Sequence, residues 1–377
     1  MATTNEALQT ELLRHQVDLL RFSKGLASRI VAILSRTEPE LARVLKQRLE
    51  RIGPITAPGP STTRKLIITQ RIIKATLAPT WTTINDLVRR ELVGLALGEG
   101  AYIAGVLAEA LPVVFGPKLP PPKTLRGIVF ARPFQNRILR DWLGTFQLGD
   151  RRRMMDEIRQ GLLWDETPTE IGRRIFGTRA QGGTDGVRQI TRRGAQTLAQ
   201  TSTSAISNAV RQSVYKANRK IIPREQYVAT LDSRTTPICQ SLDGQVFKTG
   251  QGEIPPVHMN CRSIRVPVID GRPLGNRPAS ANFRGRLGNL RGPARRREVA
   301  KLIGRVPAST NYDTFLRNSD TAFQNNVLGP TRARLFRAGE FDVSGFVDNS
   351  GQRLTLRQLY DIKPSSFQNL GIPAPAP

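Results

Sequence analysis

Cysteine and histidine each occur only twice among the 377 residues. Two cysteines, Cys239 and Cys261, exclude a disulfide framework and fit synthesis at a reducing site. Aromatic residues are 6% of the chain, so the aromatic interleave of a base-stacking single-strand binder is absent. The first residues, Met1 to Glu6, carry no basic region followed by an apolar run, and no signal peptide is expected. The most apolar stretch, Leu92 to Phe115, is interrupted by Glu99, Glu109 and Pro112. No clean span of about 20 apolar residues is left, and the stretch reads as a buried or interface helix in preference to a membrane-active one. The glycines at 94, 98 and 100 lie in a helical apolar context and follow no strand, which excludes a phosphate-cradling loop. No repeat at a solenoid period is present.

Acidic residues are also scarce. Lys and Arg number 57 against 30 Asp and Glu, a net charge of +27, with a pI near 11.4. Such an excess attracts polyanions, nucleic acid first among them, ahead of acidic protein surfaces. A hydrophobic share of 39% permits real cores, and the length implies two or three domains.

Along the chain, Leu8, Leu12, Leu19, Phe22, Leu26, Ile30 and Ile33 recur at helical steps, predicting helix over 6–51. A second helix is expected to begin near Thr37-Glu38-Pro39-Glu40, since Thr can cap and Pro suits the first turn. Residues 53–60 read as a linker. Helices resume near Thr63, pause near Pro79 and run to about Leu111. The three prolines at 120–122 form the clearest break. Helices follow over 134–148 and 151–163, and a short one starts at Thr167-Pro168-Thr169-Glu170 with a capping box. A long helix over 188–218, rich in Ala, Ser and Thr, should pack closely on a neighbour. Short strands are expected at 227–231, 245–248 and 265–269. Residues 271–297 contain no acid and hold Arg272, Arg277, Arg284, Arg286, Arg291, Arg295, Arg296 and Arg297; this stretch is read as flexible. Helix signals return at 312–316 and 321–328, and a Pro-Ala-Pro-Ala-Pro tail ends the sequence.

The residues that could carry chemistry gather in two stretches, 230–244 and 254–263, which hold both cysteines and His258. Cys239, His258 and Cys261 are candidate zinc ligands, with Asp232 or Asp243 as a fourth. A cysteine nucleophile with His258 as base and Asp232 or Asn260 as orienter is a second possibility. The third is a β-hairpin held by packing and local hydrogen bonds, and the residues alone favour it. No cofactor is therefore expected, and Cys239, His258 and Cys261 stand only as candidates for a metal. His15, on the first helix, is read as structural.

The order of these motifs resembles a known family. A long helix bearing Arg193-Gly194-Ala195-Gln196-Thr197-Leu198 precedes Thr230-Leu231-Asp232-Ser233-Arg234-Thr235. Cys239 and Leu242-Asp243-Gly244 follow, and then Pro255-Pro256-x-His258-x-x-Cys261-Arg262. Over about 155–268 this resembles the phage Mu F-protein family of minor head proteins. Family members often carry cysteine where this chain has Thr236 and Ser263, so half of any four-cysteine site is missing. The family motif maps onto Asp232, Arg234, Thr235, Cys239, Asp243, Gly244, Pro256, His258, Cys261 and Arg262.

The resemblance implies a minor capsid, head-morphogenesis protein of a tailed bacteriophage and not an enzyme. It implies low copy number, association with the portal and other head proteins, a place inside the head beside packaged double-stranded DNA, and ejection with that DNA. Synthesis and assembly would be in the host cytoplasm. The fold class expected is α+β, mainly α. Its parts are a helical N-terminal interaction region (1–119), a linker and helix (120–154), the family domain with a small β module (155–270), a basic linker (271–310), and a small helical C-terminal domain with its tail (311–377). The eight arginines of 271–297 are the expected phosphate contacts. The alternatives are a cysteine- or zinc-dependent hydrolase built on Asp232, Cys239, His258 and Cys261, and a non-viral basic nucleic-acid-binding protein.

Overall fold

The computed structural model describes residues 4–53, 59–111, 116–269, 276–283, 285–288 and 290–376. Among these residues the chain is mainly helical with two small antiparallel sheets, an α+β architecture dominated by α. Contacts divide it into two units, each assembled from separated segments. One, called here the helical unit, comprises Asp18–Glu99 and Pro121–Val210; the other, the motif unit, comprises Met1–Val17, Gly100–Pro120 and Arg211–Pro377.

Helix α1 spans Thr4–Ile52 and α2 spans Pro60–Ala110, each unbroken. The start expected at Thr37 and the pause expected at Pro79 are therefore corrected: Pro39 and Pro79 lie inside helices. An interior proline costs about 3 kcal/mol, so something must offset it. The apolar stripe does. Leu26, Ile30, Leu34, Leu41, Leu45, Leu49 and Ile52 stay in phase across Pro39, and all are buried. Ile73, Leu77, Trp81, Ile84, Val88 and Leu92 do the same across Pro79. Each buried aliphatic contributes roughly 1.5–3 kcal/mol, so packing outweighs the local defect.

The helical unit adds α3 (Pro122–Ala131), α4 (Leu139–Leu163), α5 (Pro168–Phe176) and most of α6 (Arg188–Ala217). Residues 139–163 form one helix where two were expected. The capping box at Thr167 and Glu170 is present in full. The small residues of α6 are buried all round from Thr201 to Val210, as close packing requires. Inside this unit Arg188 and Arg192 reach Glu38, at 3.8 and 2.6 Å, and Arg188 reaches Asp150 at 3.6 Å. The expected cap region is thus an interior ion-pair partner.

Helix α2 is long and apolar enough to cross a membrane by length and composition. Leu92 and Ala96 are buried in the core of the helical unit, and Ile103, Leu107 and Leu111 in a core of the motif unit. The apolar stripes of α1 and α2 are largely buried in the cores of their own units. Phe115 lies outside the described residues.

In the motif unit, β1 (Arg224–Val228) is the centre of a three-stranded antiparallel sheet, with β2 (Val246–Lys248) on one side and β3 (Ile264–Val268) on the other. Short helix α7 (Pro237–Leu242) lies between β1 and β2 in sequence. The stretch read as flexible contains a strand, β4 (Asn276–Ser280), and most of a helix, α8 (Gly292–Lys301). Strand β4 pairs with β5 (Ile303–Pro307), and its Ala279 bridges to Leu231. Ordering follows from that pairing, which alternation in so polar a segment did not signal. The C-terminal helices α9 to α13, from Tyr312 to Asn369, build a core that includes Leu231 and Ala279.

Candidate functional site

The sheet brings the two motif stretches together. Strand β1 delivers Tyr227 and leads to Asp232; α7 delivers Cys239; β3 begins just after Cys261 and Arg262. Between α7 and β2 the chain must reverse, and Gly244 does this at φ +87°, with its N–H donating to the Tyr227 carbonyl at 2.9 Å. A Cβ there would lie 3.1 Å from Asn311, so both conformation and space call for glycine.

His258 and Cys261 sit on a tight turn. Asn260 takes φ +58°, and the Cys261 N–H donates to the His258 carbonyl at 3.3 Å. The His258 Nδ1 lies 2.7 Å from the Met259 carbonyl, which can only accept. That bond fixes Nδ1 as the protonated nitrogen and aims the Nε2 lone pair inward. Nε2 is 3.1 Å from Cys239 Sγ, and the two sulfurs are 3.8 Å apart. The Tyr227 hydroxyl is 3.3 Å from Cys239 Sγ. Cys239 and Cys261 are each 1% exposed.

These contacts polarise the pair. The hydrogen bond to Cys261 and burial push the Cys239 thiol up. The hydrogen bond from Cys239, helped by His258 against burial, holds Cys261 well below the ordinary thiol range. Burial pulls His258 down, and its bond and attraction to Cys261 more than offset this, leaving it raised. A thiolate next to an imidazole is nucleophile chemistry in principle. Both sulfurs are nevertheless enclosed, so no substrate carbon reaches them in this conformation. What the arrangement offers directly is three soft donors converging within 4.8 Å, a potential metal tripod.

Asp232 is not part of that tripod. It accepts a two-pronged bond from Arg262, at 2.6 and 2.8 Å, and one from the Arg234 N–H at 3.0 Å. Burial raises its carboxyl, and the Arg262 bonds and charge outweigh that, holding it below the usual range. Thr235 Oγ1 completes the turn at 3.2 Å from Asp232. Arg234 is exposed apart from a 3.6 Å approach to Asp232. Pro256 is half-buried in the loop before His258.

Asp243 has a different partner from any expected. Arg277 clasps it at 2.9 and 3.1 Å and donates to the carbonyls of Thr310 and Ala229. Burial pushes the Asp243 carboxyl up, against the pull of Arg277. Arg277 is 2% exposed, so its assignment as a phosphate contact is corrected: it is a buried clasp. The other arginines of that group divide. Arg272 and Arg284 lie outside the described residues. Arg286 is half-buried and bonded to Asp320. Arg291, Arg295, Arg296 and Arg297 are exposed on and just before α8.

Reading the sequence missed three groups. Arg305 on β5 is exposed beside the α8 arginines in the chain. Tyr312, buried, donates to the Asp232 carbonyl at 2.8 Å and ties the C-terminal core to the motif. Arg265 is 1% exposed, 3.5 Å from Glu225, and donates to the carbonyls of Glu253 and Gln251, anchoring the 249–263 loop. A charged residue on a short strand reads as solvent-facing, which hid Arg265.

Residues 151–265 match the family described as Phage Mu protein F like protein. No curated protein and no solved structure matches the chain.

Proposed function

We propose that this chain, whose residues 151–265 match the phage Mu F-like family, acts as a minor capsid protein that sits near the portal inside the head and touches packaged DNA. The observation that carries the reading is the family match, which spans the segment holding the Asp232–Arg262 clasp and the Cys239/His258/Cys261 cluster. The net charge of +27 supports contact with a polyanion. The exposed arginines around α8 are the surface best suited to it, and phosphate contacts of this kind carry no sequence information. Burial of both sulfurs favours a structural role for the cluster over hydrolysis.

Partners are expected to be other head proteins, with portal as the first candidate. The test is a mass-spectrometric survey of purified virions before and after DNA ejection, with affinity capture of tagged portal from infected cells. The protein should be present in full heads, recovered with portal, and depleted once DNA has left. Its absence from purified virions would overturn the reading; presence without portal capture would remove the portal placement alone.

A further inference from the structure

We propose that Cys239, His258 and Cys261 bind one zinc ion, which fastens the 249–263 loop to helix α7 and strand β1. The residues alone argued against a metal, because only three soft ligands were visible and nothing showed that they meet. The fold makes them meet. Two sulfurs bound tetrahedrally to zinc at about 2.3 Å lie about 3.8 Å apart, and Cys239 and Cys261 are separated by 3.8 Å. The corresponding sulfur–nitrogen separation is about 3.6 Å. Cys239 and His258 stand at 3.1 Å, about half an ångström short of that separation, and all three ligand atoms lie within 4.8 Å of one another.

Chemistry selects the ion. Two thiolates and a neutral imidazole around a divalent cation sum to zero charge, which suits a buried place. Thiolate and imidazole donors favour zinc, whereas magnesium and calcium take oxygen. The outer contacts are those a zinc site uses. The Met259 carbonyl sets the histidine tautomer, and the Tyr227 hydroxyl is placed to donate to the Cys239 sulfur. The fourth position is left to a water.

The fold also has a use for a fastener. No strand or helix occurs between Lys248 and Ile264, and a loop of that length is uncommon without a functional or structural tie. The buried cluster beneath it is small: Tyr227, Ala229, Cys239 and Cys261.

The experiment uses the full-length protein, reduced and purified without added metal. Zinc content is measured first. The zinc is then removed with a chelator and replaced by cobalt(II), whose thiolate charge-transfer band and intense visible bands mark tetrahedral sulfur coordination. One equivalent of metal with both bands is expected, together with a lower unfolding temperature in chelator. Cys239→Ser and Cys261→Ser should each weaken cobalt binding by more than about 100-fold, and Tyr227→Phe by roughly 10-fold, as for an outer partner. Should either serine variant fail to fold, the wild-type titration decides alone. Folded, reduced wild-type protein that takes up no zinc and shows no thiolate–cobalt band overturns the proposal. So does a Cys239→Ser variant that keeps the band unchanged. The outcome is independent of whether the protein is found in virions.

Discussion

The core of the helical unit and the framework around the motif are held together by different means. In the first, long helices bury a large set of aliphatic side chains, from Leu26 on α1 to Val210 on α6. In the second, the cluster under α7 has four buried members, and the work passes to Asp232–Arg262, Asp243–Arg277 and Glu225–Arg265. Apolar contacts are many and individually small, so the first region tolerates trimming. A charge clasp is one contact that leaves a buried ion behind when broken. The difference teaches that similar burial can conceal very different sensitivity to single substitutions.

The sharpest test of that contrast is Arg277→Ala. It strands Asp243, which is fully enclosed, and should cost about 3–5 kcal/mol. Ile84→Val, a trim at a fully buried position of the helical core, should cost only about 0.5–1.5 kcal/mol. Urea unfolding, with amide exchange to localise the loss to residues around 229–244, measures both. Equal costs would erase the distinction between the regions.

Asp232→Asn comes next, at about 1.5–3 kcal/mol for hydrogen bonds to a charged group. Its pH dependence sharpens the comparison. The folded carboxyl is held below its ordinary value, so its contribution is present above the unfolded value of about 3.9 and is lost as pH falls through the folded one. The wild type should lose stability over that acid window more steeply than the Asn variant. Parallel curves would mean that the clasp contributes nothing that titrates.

Much of the helical unit was legible because its signal is local. Apolar spacing along α1, α2 and α6 repeats often enough to outvote a proline, though not enough to show that the helix passes through it. The motif was legible as a set of residues but not as a set of pairs. Nothing near Asp243 in the chain names Arg277, 34 residues away, and the acid-free setting of Arg277 pointed to solvent. Likewise, Cys239 and Cys261 are 22 residues apart, and only the sheet register and the turn at Asn260 bring their sulfurs together.

The smallest effect on stability is expected at the opposite extreme from Arg277, in the same stretch of sequence. Helix α8 has no buried residues, and Arg295, Arg296 and Arg297 are exposed. Changing all three to Gln should move stability by less than about 0.5 kcal/mol per site, as for surface positions without a partner. If these side chains contact phosphate, however, each lost contact should flatten the dependence of log affinity on log salt by about 0.9 for duplex DNA. Measuring duplex binding at two salt concentrations for wild type and the triple variant separates the two roles. A flatter slope with unchanged unfolding makes α8 a DNA-facing surface. An unchanged slope sends the search for phosphate contacts to other basic surfaces of the chain, and a large stability loss would show that α8 is fastened by contacts its exposure does not reveal.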